Sequence, residues 1–126
     1  MRAVDTNVLV RLIARDDAVQ LKAAELFVAR GAWVSQIVLV ETVWVLEIVL
    51  ELSTGRVAQA IEMLLNHQHL SVQDPDVAAD ALRQYKLRPA LGFSDCLVLE
   101  SARKAGHLPL GTFDRDLARI AGAERL

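Results

Sequence analysis

Short apolar runs alternate with stretches of helical periodicity along this chain, and that alternation narrows the folds open to it more than any other feature. Val4 closes one run at a carboxylate, Asp5. Ala32-Trp33-Val34-Ser35 reads as a second strand, Leu70-Ser71-Val72 as a third, and Leu108 to Phe113 as a fourth that again stops at a carboxylate, Asp114. Between them lie helical patterns. These are Val8 to Ile13, Ala18 to Ala29 with Gly31 as its stop, Gln36 to Glu51, and a helix after Ser53-Thr54 carrying Val57, Ala60, Ile61 and Leu64. Asp74-Pro75 opens another; Leu87 to Phe93 reads as a loop, after which Ser94 caps a helix running to Ala105, and a last short one carries Leu117, Ile120 and Ala121. Strands alternating with helices predict an α/β fold with a mainly parallel sheet covered on both faces. At 126 residues, 53% of them hydrophobic, one domain spanning 1–126 is expected.

Composition excludes rather little. A net charge of -2 and a pI near 5.9 argue against broad electrostatic coating of nucleic acid, leaving Arg11, Arg15, Arg88 and Arg115 as either local phosphate contacts or solvated surface. The single cysteine, Cys96, rules out an intrachain disulfide framework and suits a reducing cytoplasm, and no charged-then-apolar leader opens the chain, so a cytoplasmic location is expected. The run from Ile37 to Leu50 is too short to span a bilayer and is interrupted by Glu41 and Glu47. Its apolar side chains fall on nearly every side of a helix, which calls for a central position or a partner covering one face.

Four acids carry the functional reading. Asp5 and Asp114 follow strands directly, Glu41 lies in the first turns of the helix after the second strand, and Asp95 opens the helix after the Leu87 to Phe93 loop. In a parallel sheet helices begin on the side where strands finish, so these four carboxylates are expected to meet at one end. Plainer roles exist for Asp5, Asp95 and Asp114, as helix caps or first-turn acids complementing a helix dipole. Glu41 is harder to explain that way, because Ile37, Val38, Trp44 and Val45 leave it no basic partner along its own helix. Glu47 lies about 120° around the same helix and is assigned to a solvated edge. Two unit charges about 5 Å apart repel by roughly 3 kcal/mol at an effective dielectric of 20, so a cluster of acids stays ionised only with a counter-cation. All-oxygen ligands select Mg²⁺ or Mn²⁺, whereas His67 and His69 sit elsewhere, at a helix-to-strand junction, and leave zinc without its usual ligands. A hard ion among carboxylates activates water and stabilises an in-line phosphoryl transition state, which points to phosphodiester hydrolysis.

Val4-Asp5-Thr6-Asn7-Val8-Leu9, Glu41 in the third helix, Phe93-Ser94-Asp95-Cys96-Leu97 and Thr112-Phe113-Asp114-Arg115-Asp116, in that order, resemble a PIN domain and are most similar to VapC toxins of type II toxin-antitoxin modules. The resemblance covers essentially the whole chain. It implies a three-layer α/β/α sandwich around a mainly parallel four- to five-stranded sheet, and a Mg²⁺- or Mn²⁺-dependent endoribonuclease. It also implies a homodimer held by a small antitoxin protein, with no membrane association. Asp5, Asp95 and Asp114 would then hold metal directly or through water, and Glu41 would orient or deprotonate the attacking water. Asn7, Thr112 and Asp116 would be supporting residues. The stretch after Asp114 leaves room for only a very short final strand near Ala123 to Leu126.

Two other readings compete. A phosphoacceptor receiver domain would need a lysine ending a late strand, and Lys22, Lys86 and Lys104 do not stand there. A non-catalytic binding module would use the apolar helix 37–50 as its interface and its acids only as caps.

Overall fold

The first strand stops at Asp5 because that residue turns the chain into a helix. Its backbone is extended (φ -97°, ψ -179°) while its carboxylate accepts the Val8 N–H at 3.4 Å, so β1 (Arg2–Ala3) gives way to α1 (Thr6–Ala14). The computed structural model describes residues 1–88 and 90–126, which fall into two units, Met1–Pro75 and Asp76–Leu126.

In the first unit β1, β2 (Ala32–Val34) and β3 (Leu70–Val72) form a parallel sheet in that order, with Ala3 opposite Trp33 and Val34 opposite Val72. Ala32 and Val34 are wholly buried while Trp33 between them is exposed, as the two-residue pleat requires. Alpha helices α2 (Ala18–Val28) and α3 (Gln36–Trp44) both pack on α1, and α4 (Thr54–Asn66) packs on β3. Their starts are chemical: Asp17, Ser35 and Ser53 each accept a backbone N–H from the first turn. Leu9, Leu39, Val57, Ile61 and Leu64 are fully enclosed. His67 and His69 meet in the turn before β3, where the His69 N–H donates to His67 Nδ1 at 3.1 Å.

The apolar helix departs from expectation in one way and, in another, answers to only one of the two positions expected for it. Helix α3 ends at Trp44 and continues as a π-helical turn, Val45–Val49, in which the Leu50 N–H reaches back to the Val45 carbonyl. A wider turn rotates each residue through a smaller angle, so later side chains lag behind the phase that counting at 3.6 residues per turn gives them. Glu47, assigned to a solvated edge, is therefore partly buried, and that burial pushes its carboxyl above the usual range. In addition the run is buried on one side alone, by Leu39, Thr42, Val43 and Leu46; Ile37, Trp44, Ile48 and Val49 are each more than half exposed. The hydroxyl of Thr42, buried within this run, donates to the Val38 carbonyl at 2.7 Å.

The second unit carries most of α5 (Pro75–Leu87), then α6 (Phe93–Ala105), β4 (Leu110–Thr112), a 3₁₀ turn at Leu117–Arg119, and β5 (Ala123–Arg125). Proline at the first helical position starts α5 as expected. Pro89 of the expected loop lies outside the described residues; Leu87 still belongs to α5, and Phe93 already belongs to α6. The helix starts one residue before Ser94 because Phe93 is only 1% exposed and stacks edge-on against Tyr85, so packing, not a hydroxyl cap, sets the boundary. The brief final strand exists, paired parallel with β4 from Leu110 opposite Ala123 to Thr112 opposite Arg125.

The expected α/β pattern of parallel strands and helices is present. Its strands are hydrogen-bonded as a sheet of three in the first unit and a pair in the second, and no single ladder of four or five strands occurs among the described residues. Strands of two or three residues make few ladder bonds, so their pairing cannot be read from hydrophobic runs alone. Among the described residues no helix is long and apolar enough to cross a membrane.

Candidate active site

In the first unit the structure ties two of the predicted acids to one place. Asp5 occupies the N-cap of α1, and the next residue, Thr6, donates its hydroxyl to Glu41 Oε2 at 2.7 Å, across 35 positions of sequence. The packing of α3 on α1 makes that bond, with Ser35 fixing where α3 begins. Because Asp5 already serves the free amides of α1, the Thr6 hydroxyl is left over for a distant acceptor. Thr6 is the functional candidate that sequence reading missed; a spare hydroxyl beside an occupied cap was the available signal. Asn7, expected as a supporting residue, is exposed one position further along and lines a groove between α1 and α2.

The Thr6–Glu41 contact has a measurable strength. A double-mutant cycle of Thr6→Val and Glu41→Ala in urea unfolding should give a coupling of about 0.5–1.5 kcal/mol, at the lower end because the carboxylate is exposed. Additive single effects would show that the hydroxyl contributes nothing to holding Glu41.

In the second unit Asp114 lies two residues beyond the end of β4 and is held from both sides. Its N–H donates to Thr112 Oγ1 at 3.0 Å, and its Oδ1 accepts the N–H groups of Asp116 and Leu117 at 2.8 and 2.9 Å, so it caps the 3₁₀ turn. Thr112 thus accepts a bond from the Asp114 backbone, and Asp116 donates to the Asp114 carboxylate through its own backbone. The Asp116 side chain faces Arg119 at 3.9 Å. Asp95 stands in the first turn of α6, where an added β-carbon on Gly92 would lie 3.6 Å from its Oδ2, so the carboxylate folds back toward the helix start.

Charge pairing separates these acids from six of the others. Asp16, Glu25, Asp76, Asp80, Glu100 and Asp116 each meet an arginine or lysine, whereas among the described residues Asp5, Glu41, Asp95 and Asp114 meet none. Asp17, Glu47, Glu51 and Glu124 also lack an ion pair, so the property selects only in combination with position at a strand end or helix start. Arg11 and Arg15, considered as phosphate contacts or solvated surface, form ion pairs with Asp16 and Glu25.

Within either unit, among the described residues, no group of three or more His, Cys, Asp or Glu side chains gathers into a ready metal cage. The donor chemistry nonetheless fits a hard divalent ion. Asp5 and Glu41 offer carboxylate oxygens without a competing cation, and Mg²⁺ keeps several waters while taking only one or two carboxylates directly. Cys96 is no alternative nucleophile. It is fully buried, and burial first, then the Asp95 and Glu100 carboxylates, push its thiol up to about 11. In the folded protein at pH 8, iodoacetamide should label it at least about ten-fold more slowly than in urea, because almost no thiolate forms. Equal rates would contradict that burial.

A family model described as PIN domain matches residues 2–123 and so spans all four acids. No curated protein matches the chain.

Proposed function

Because this chain belongs to the PIN domain family, whose members are generally nucleases, we propose that it is a Mg²⁺- or Mn²⁺-dependent endoribonuclease and the toxin of a type II toxin-antitoxin pair of the VapC kind. The observation that carries the reading is the Thr6 hydroxyl fastening Glu41 beside the Asp5 cap, which leaves two carboxylates with no basic partner at the end of β1. In this reading Asp5, Asp95 and Asp114 would hold the ion, directly or through water, and Glu41 would orient the attacking water and take its proton. A divalent ion bound there would lower the pKa of water and offset charge on the phosphate. Thr6 keeps Glu41 in position, while Thr112 and the Asp116 backbone keep Asp114 in position. Water attacks phosphorus as the bond to the leaving ribose oxygen breaks; Glu41 takes the proton from the water, and solvent supplies the proton that makes the departing oxygen a hydroxyl.

The exposed apolar side chains Ile37, Trp44, Ile48 and Val49 support a homodimer or a bound antitoxin, since a patch of this kind is covered in most working proteins. Light scattering on the purified chain reads the dimer directly, and a monomer at all concentrations would reject it. For the activity, the purified protein is incubated with an RNA panel. Cleavage with Mg²⁺ or Mn²⁺ and none with EDTA is expected. Cleavage that persists in EDTA, or none with metal, rejects the reading.

A further inference from the structure

We propose that Arg103 is a positioning residue for Asp114, fastening the loop that carries this acid to the helix that carries Asp95. The proposal rests on the nuclease reading and adds to it a residue that the acid-bearing motifs do not include. Asp114 stands in the loop between β4 and β5, and its own bonds to Thr112, Asp116 and Leu117 hold the near end of that loop. The far end meets Arg103, in the last turn of α6. Its guanidinium donates through Nη2 to the Ala121 carbonyl at 2.6 Å and closes on Gly122, where an added β-carbon would stand 3.1 and 3.2 Å from Nη1 and Nη2. Gly122 also has φ +100°, so a larger residue is unwelcome there on two counts. The Gly122 carbonyl in turn accepts the Leu110 N–H at 2.8 Å, so Arg103 grips the loop where it returns to β4.

Three observations favour positioning over plain stability. Arg103 is aimed by Glu100: its Nε donates to Oε2 at 3.0 Å, and that carboxylate side chain is only 5% exposed. A buried ion pair stabilises a fold little better than apolar packing would, so what it fixes is the better account of its presence. Second, a cation in the last turn of α6 complements the helix dipole wherever it points, and the neighbouring Lys104, paired with Asp76 at 3.0 Å, already supplies one. That role needs neither a buried partner nor a carbonyl 18 positions away. Third, α6 is one continuous helix from Phe93 to Ala105, so the same element sets Asp95 in its first turn and the strap in its last. Without the strap the loop is free to shift against α6, and a misplacement of about 1 Å is enough to impair a reacting site.

The test removes the strap without stranding a buried charge. Glu100→Leu combined with Arg103→Leu replaces the pair by apolar groups, and Gly122→Ala, as a separate variant, pushes the guanidinium off the loop while both charges remain. Both are compared with Arg83→Gln, which takes an arginine from the same polar rim, where it pairs with Asp80. Amide hydrogen exchange of Asp116 and Leu117, the donors to Asp114 Oδ1, should speed up at least about ten-fold in both strap variants. Ala32 and Gln73, bonded to His69 and Val34 in the first unit, should exchange as in the parent. Binding of Mn²⁺ alone, read by electron paramagnetic resonance, should weaken about ten-fold, and RNA cleavage should fall about as much, in kcat more than in KM. Arg83→Gln should match the parent throughout. Unchanged exchange at Asp116 and Leu117 overturns the proposal, and so does faster exchange that spreads to Ala32 and Gln73, the mark of lost stability alone. Faster local exchange with parent-like Mn²⁺ binding and cleavage overturns it as well, since the strap then holds the loop but not the site. A parent that neither binds Mn²⁺ nor cleaves RNA overturns the nuclease reading and the positioning role with it, whatever the exchange rates.

Discussion

Asp5→Asn is expected to lower RNA cleavage by at least about 100-fold, the scale on which removing one group that stabilises transition-state charge acts, while leaving the fold intact. The two halves of that expectation have separate causes. Asn is as good an N-cap as Asp, so the bond to the Val8 N–H survives and α1 keeps its start. What disappears is the negative charge, and with it the ability to hold a hard cation against water. Asp5→Ala would be less informative, because it adds a loss of about 1 kcal/mol for the cap and mixes instability with lost chemistry. Cleavage rate and thermal midpoint are measured on the same preparation. A variant that cleaves within about three-fold of the parent would reduce Asp5 to a capping residue.

Phe93→Ala should destabilise the protein by about 3–5 kcal/mol, a large share of the about 5–15 kcal/mol that a domain usually has. Phe93 is 1% exposed, its ring meets Tyr85 edge-on at 6.0 Å, and no neighbour can fill the space of a lost aromatic ring without moving. The position matters as well as the volume. Gly92 caps α6 without a side-chain bond, so the packing of Phe93 is what starts the helix on which Asp95 stands two residues later. Cleavage should therefore fall along with stability. Phe113 provides the contrast, since it is 79% exposed and Phe113→Ala should lie within about 0.5 kcal/mol of the parent. Urea unfolding of the two variants decides the matter. Similar losses for both would mean that Phe93 does not anchor α6.

Much of this protein is legible before folding because its signals are local. Asp5, Ser35 and Ser53 cap helices through bonds to residues three positions away, Pro75 starts α5, and the 3.6-residue pattern of Val57, Ala60, Ile61 and Leu64 names the buried face of α4. Ser94 failed as a cap for the opposite reason. The edge of α6 is set by how Phe93 packs, and packing depends on residues that sequence order does not bring together.

The alternation of strand and helix and the order of the acid-bearing motifs determined the fold class and named Asp5, Glu41, Asp95 and Asp114 as candidates. Those inferences rest on interactions within a few residues and on motif order, both of which a linear chain carries. Tertiary structure alone decided that Thr6 fastens Glu41 across 35 positions, that the third helix widens into a π turn and draws Glu47 partly inward, and that Arg103 reaches the Ala121 carbonyl across 18 positions. Each of these depends on which helix lies against which, where side chains remote in sequence compete for the same space and the same hydrogen bonds.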